Sequence, residues 1–213
     1  MMEAWLTSFA TFFATVGPIE AAVLFATFTA SLPRERAREI AVRAVLIATL
    51  ILMVFTLFGQ PLLAQLGVSI AALQTAGGFI LGVIALEMIF ARKTSAFRLT
   101  AEEDAEAGAS NDLAVFPLAT PLLAGPGAMS AGIVLAANAA GDGWKAAGVV
   151  AGLSTVMVVT LGLLLAAPEI ARGMGKTAQN VLIRVFGILL AAIAVQAVFD
   201  GLNASGLVGR AAT

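Results

Sequence analysis

The stretch LLAGPGAMSAG, Leu122–Gly132, decides how this chain folds. It lies in a run with no charged residue from Leu113 to Gly141. That is enough to cross a bilayer, since a spanning helix needs about 20 mainly apolar residues. Yet Gly125, Pro126 and Gly127 stand in its middle. Proline cannot donate to the carbonyl four residues back, and its ring clashes with it. A helix arriving here must stop near residues 122–124. Proline suits the first position of a new helix, so Gly125 reads as an N-cap and Pro126 as the start of a second half-helix.

The first apolar run repeats the device. FATVGPIEAAVLF, Phe13–Phe25, carries Gly17-Pro18, 108 positions before Gly125-Pro126. Its helix should stop near 14–16 and restart at Pro18 with Gly17 as cap. GGFILGVIALEMIF, Gly77–Phe90, aligns with FGILLAAIAVQAVF, Phe186–Phe199, at an offset of 109. Two blocks in the same order at nearly one offset indicate a duplicated unit of three helices; the alternative is chance similarity between Gly/Ala/Ile-rich helices.

Composition sets the solvent. Of 213 residues 60% are hydrophobic and 12% charged, about half the charge of a soluble domain, so the bilayer must solvate the surface. The net charge of −1 gives no sign of nucleic-acid binding. There is no Cys, His or Tyr, which excludes disulfides, Cys or His metal sites and nucleophile–His pairs. The N-terminus, MMEAWLT, lacks the basic residues of a signal peptide, so the first apolar run is expected to remain in the mature protein.

Six spans are expected, near 5–30, 42–64, 69–91, 113–139, 146–167 and 180–200, all helical. The turn between the second and third is placed at GQPLLAQLG, Gly59–Gly67, and the fifth span ends at Pro168-Glu169. Residues 1–92 form one three-helix repeat, the charged and Ala/Gly/Ser-rich 93–112 a cytoplasmic linker, and 113–213 the second repeat. Ten of the twelve Lys and Arg fall on one set of alternate loops; only Lys145 and Arg210 fall on the other. The positive-inside rule puts the ten in the cytoplasm and both termini outside. Three helices per unit then forces the two repeats into opposite orientations. Inverted repeats whose first helices break near the midplane mark secondary transporters. Irregular backbone survives at membrane depth only when buried in protein or lining a cavity. A proline kink satisfied by its neighbours is the plainer account of either break alone.

The candidate site therefore gathers Thr15, Gly17, Pro18 and Glu20 from the first break and Gly125, Pro126, Gly127, Ala128 and Ser130 from the second. Glu20 is the only acid near the middle of a span. As the third residue of its half-helix it either closes a capping box on the Gly17 N–H or holds an ammonium group or a proton. The second repeat has Ala128 there, leaving the Gly127 and Ala128 N–H groups for a substrate carboxylate. The hydroxyls of Thr15, Thr120 and Ser130 either line the site or bond their own backbone. Glu87 is expected at the cytoplasmic interface. Gly78-x-x-x-Gly82 and Gly148-x-x-x-Gly152 are close-packing patterns expected to serve intramolecular contacts.

GPIEAAVLFATFT, LQTAGGFILGVIALEMIF, PLATPLLAGPGAMSAG and FGILLAAIAVQAVFDG, in this order across almost the whole chain, resemble the MarC family of bacterial inner-membrane proteins. The resemblance implies six helices in two inverted three-helix repeats, an inner-membrane location and, for some members, transport of small neutral amino acids such as glycine and alanine. Many members carry Asn-Pro or Asp-Pro where this chain has Gly17-Pro18 followed by Glu20. The expected partners are a small-molecule substrate and the lipid bilayer. A proton or sodium as coupling ion, and a homo-oligomer, are left open. No cofactor and no enzymatic activity are expected: Ser130 follows a Gly-rich turn, but no His exists and no Lys lies in a span to activate it. Two alternatives stand beside transport of amino acids: export of other metabolites or drugs, and a non-transporting scaffold. A filled, dry interface between the breaks would favour the scaffold.

Overall fold

The computed structural model describes residues 1–29, 32–90, 113–172 and 176–206. Among these it is all helical: α1 Met2–Val16, α2 Pro18–Phe28, α3 Arg34–Leu66, α4 Ile70–Phe90, an irregular segment Ala114–Leu123, α5 Pro126–Asn138, α6 Gly143–Arg172 and α7 Lys176–Ala204. The 93–112 linker expected from the sequence lies outside the described residues.

Side-chain size sorts the surfaces. On α3 the buried positions include Ala37, Ala41, Ala44, Ala48, Leu52, Thr56, Gly59 and Leu63, a stripe at helical spacing made mostly of small residues. Leu46, Leu50, Val54, Leu57 and Phe58 point outward and are exposed. Small side chains inside let helices approach closely, and large apolar ones outside meet lipid rather than water. By length and apolarity four stretches qualify as membrane spans: Met2–Ala26, Arg34–Leu66, Gly143–Pro168 and Gly187–Ala204. The pair Ala114–Leu123 and Pro126–Asn138, bent by 53°, makes a fifth. Ile70–Leu86 is a shorter apolar stretch within α4. Among the described residues four or five stretches thus qualify by length and apolarity, and the expected 69–91 span coincides with α4.

One boundary falls inside the expected stretch and one beyond it. Helix α3 runs through Gly59 and Pro61 to Leu66, so the turn lies at the far end of the expected Gly59–Gly67 stretch. It ends at Gly67, whose left-handed backbone (φ 65°, ψ 21°) lets the Val68 N–H reach Leu63 O at 3.0 Å, a Schellman-type stop. Helix α6 likewise continues through Pro168 to Arg172. A proline removes one helical hydrogen bond, and flanking turns packed on neighbours carry the helix past that loss.

The packing exchanges the two halves of the chain. Helices α1 and α2 pack on α6, while the 114–123 segment and α5 pack on α3; α3 meets α6, and α4 meets α7. Helices α4 and α7 run antiparallel: Gly78 abuts Ala194 and Val198, whereas the earlier Ala71 and Thr75 abut Gly201. Gly148 accommodates Met1, Ala4 and Trp5, and Gly152 accommodates Ser8 and Phe9. Both Gly-x-x-x-Gly patterns therefore serve contacts within the chain.

Candidate functional site

The first break is a single left-handed residue. Gly17 (φ 59°, ψ 60°) ends α1, donating its N–H to Phe13 O at 3.2 Å, and begins α2, its carbonyl accepting from Ala21 N at 2.9 Å. Pro18 opens α2 as expected. The left-handed region costs an L-residue about 1–2 kcal/mol, so glycine suits this joint. A Cβ on Gly17 would also lie 2.9 Å from Glu20 Oε2, which places the Glu20 carboxylate folded back over the joint. The capping box is not formed: the Gly17 N–H it would need is given to Phe13 O.

The second break is longer. Phe116 (φ −128°, ψ 130°) and Thr120 (φ −132°, ψ 131°) are extended, each directly before a proline. Clash with the proline ring drives the preceding residue out of the helical region, and the four-residue echo Phe116-Pro117-Leu118-Ala119, Thr120-Pro121-Leu122-Leu123 does so twice. Both X-Pro bonds are cis. The segment closes with a wide turn, Ala124 N donating to Ala119 O at 2.8 Å. Gly125 is then extended (φ −76°, ψ 163°), Pro126 opens α5, and Gly125 O accepts from Met129 N at 3.0 Å. A Cβ on Gly125 would come 2.6 Å from Pro121 O. The Pro126 ring sits where Gly77 of α4 leaves room for it. The sequence comparison placed Gly77 only in a repeat block; its partner, and hence its role, was not visible there.

The broken helices pack on each other. Helix α1 packs on α5 and α2 on the 114–123 segment, and one core joins Phe12, Val16 and Phe25 to Leu123, Ala124 and Ala128. The expected site residues divide by burial. Pro18, Gly125, Ala128 and Ser130 are buried, Gly17 and Pro126 half-buried, and Thr15, Glu20 and Gly127 exposed. Among the described cavities none is lined by either Gly-Pro joint. A pocket of about 10 Å³ lies among Leu24, Phe28, Leu81, Ile84, Pro117, Leu122 and Leu190, closed by apolar side chains. At Gly127, by contrast, a Cβ would meet nothing within 4 Å.

Hydrogen bonding separates the hydroxyls. Thr15 bonds Thr11 O at 2.9 Å, continuing a ladder in which Thr11 bonds Thr7 O at 2.8 Å. Thr120 bonds Val115 O at 3.2 Å. Both satisfy their own backbone. The Ser130 hydroxyl is buried without a partner, as are those of Ser8 on α1 and Thr56 on α3. An unsatisfied buried hydroxyl costs about 1–3 kcal/mol. Ser8 and Thr56 could not be singled out from sequence, because helix rotation decides which hydroxyl faces inward. The Glu87 side chain lies outside the described residues.

A helical, multi-pass architecture with small residues inside, large apolar residues outside and two proline-broken helices packed in one core defines an integral membrane protein. The MarC family integral membrane protein model matches residues 2–205, and the chain belongs to that family. It is 33% identical over 202 residues to a UPF0056 membrane protein of Methanocaldococcus jannaschii, covering 95% of this chain and 97% of that one. It is 36% identical over 199 residues to a UPF0056 membrane protein of Archaeoglobus fulgidus, covering 93% and 92%. To the Bacillus subtilis UPF0056 membrane protein YvbG it is 31% identical over 195 residues, covering 92% of each. No solved structure matches.

Proposed function

We propose that the chain is a secondary transporter of small solutes, with small neutral amino acids of the glycine and alanine type as its substrate class. It comprises two three-helix repeats of opposite orientation in the bacterial inner membrane, with both termini outside. The exchange of packing partners between the halves and the antiparallel α4–α7 pair support that arrangement. The observation that carries the transport reading is the pair of half-helix breaks packed on each other, with a carboxylate at one and an open helix end at the other. Helix α5 has no side-chain cap, and Gly127 is exposed where Ala128 is buried, so the Gly127 N–H presents a positive helix end to a substrate carboxylate. Glu20 at the first joint suits its ammonium group or a coupling proton. A carboxylate exposed at mid-span cannot face acyl chains; it faces water or a partner.

The packed, apolar contact between the broken helices favours a second reading, a scaffold that moves nothing. A transporter passes through occluded states, and the exposed Gly127 and Glu20 leave an edge of the breaks accessible in this one. Flux of radiolabelled glycine and alanine into proteoliposomes under proton or sodium gradients separates the readings. Saturable flux is expected; its absence for every small amino acid and drug tested would leave the scaffold.

A further inference from the structure

One cavity lies away from the breaks. About 300 Å³ of space opens between α2, the start of α3 and the end of α6, lined by Phe25, Arg34, Ala37, Arg38, Leu164, Leu165 and Pro168. That is the lower end of the about 300–1,000 Å³ range of ligand pockets. Its chemistry is two-sided. Arg34 and Arg38 stand one helical turn apart on one face of α3. Glu39 holds Arg36 at 2.9 Å and Arg43 at 3.7 Å, and among the described residues Arg38 has no carboxylate partner. Opposite them, Leu164 is buried and Leu165 exposed. The cavity thus combines guanidinium groups and an apolar wall, at the arginine-rich end of a membrane-spanning bundle.

We propose that this cavity binds the headgroup of an anionic phospholipid. The phosphate takes the Arg38 guanidinium, one turn from Arg34, and an acyl chain runs along the exposed Leu165. Guanidinium groups take phosphate in charge-assisted hydrogen bonds, and basic pockets between spanning helices suit such headgroups. The apolar wall distinguishes a lipid from a free phosphate, which would have no use for it.

Native mass spectrometry of the purified protein, with added dioleoyl phosphatidylglycerol, phosphatidylcholine or glycerol phosphate, tests this. One retained phosphatidylglycerol per chain is expected, with little phosphatidylcholine and no competition from glycerol phosphate. Arg38→Gln should weaken retention about tenfold, as loss of one charge-assisted bond does; Arg34→Gln/Arg38→Gln should abolish it, and Arg43→Gln should leave it unchanged. Leu165→Trp should block the acyl path with both arginines intact, and thermal unfolding in neutral detergent confirms that each variant is folded. Equal retention of phosphatidylcholine, or unchanged retention in folded Arg38→Gln and Leu165→Trp variants, overturns the proposal. Full competition by glycerol phosphate assigns the cavity to a soluble anion and overturns the lipid.

Discussion

At the scale of single residues, the two joints solve one problem differently. Gly17 spends one left-handed residue and keeps hydrogen bonds running into and out of the joint, so only the second broken pair bends by more than 40°. Gly17→Ala should therefore cost about 1–2 kcal/mol through its backbone alone, read as a lower melting temperature in detergent. Glu20→Gln keeps the shape beside Gly17 and removes the charge. Amino-acid flux should fall about tenfold, the equivalent of one charge-assisted bond, with the melting temperature held; unchanged flux would separate Glu20 from transport. The donor end is best probed at Gly127. Ala128 is 0% exposed, so a carboxylate placed there would be buried and would unfold the protein before it tested anything. Gly127→Asp puts the charge in open space at the same helix end. It should cut flux at least about tenfold by occupying the substrate's donors, and full flux in that variant would move the substrate elsewhere.

At the scale of elements, glycines decide which helices can meet. A Cβ at Gly77 would overlap the Pro126 ring, whereas one at Gly82 would lie 3.8 Å from the Ala194 Cβ, an ordinary contact. Gly77→Ala should destabilise by about 1–3 kcal/mol, the range for overpacking. Gly82→Ala should be neutral or gain up to about 1 kcal/mol from helix propensity. Thermal unfolding of the pair checks this, and equal melting temperatures would remove Gly77 from its place behind the second break. The breaks themselves were legible in sequence because Gly-Pro chemistry is local: Gly17, Pro18, Gly125 and Pro126 take the cap and first-turn positions expected of them. The irregular 114–123 segment carries its own signal in the sequence. Pro117 and Pro121, four apart, each force the residue before them out of the helix. The continuation of α6 past Pro168 was not legible, since a proline's local cost is outweighed there by packing that sequence does not display. The Glu20 capping box fails for a related reason: the Gly17 N–H that would donate to it is taken by Phe13 O as α1 closes.

At the scale of the whole molecule, orientation joins the charge pattern to the packing. The arginines of α3, Arg34, Arg36, Arg38 and Arg43, lie at the start of one span, and near the turns after α3 and α5 the one basic residue is Lys145, in the first turn of α6. Moving basic residues across the bilayer during insertion is unfavourable, which sets the topology. Exchange of partners between the halves, α1 and α2 on α6 against α5 and the 114–123 segment on α3, is what a two-fold axis in the membrane plane produces. That axis demands that the α3–α4 turn and the α5–α6 turn lie on the same side, opposite the start of α3. The chain has no cysteine, so single cysteines report on one position each. Val68→Cys and Gly143→Cys in the two turns should react with an impermeant maleimide in intact cells. Glu35→Cys at the start of α3 should react only after permeabilisation. Labelling of Glu35→Cys with protection of the two turns would invert the molecule while keeping its symmetry. Labelling of Val68→Cys without Gly143→Cys, in folded variants, would break the symmetry itself. Since the shared site exists only if the two breaks enter from opposite faces, that outcome would dissolve the site along with the axis.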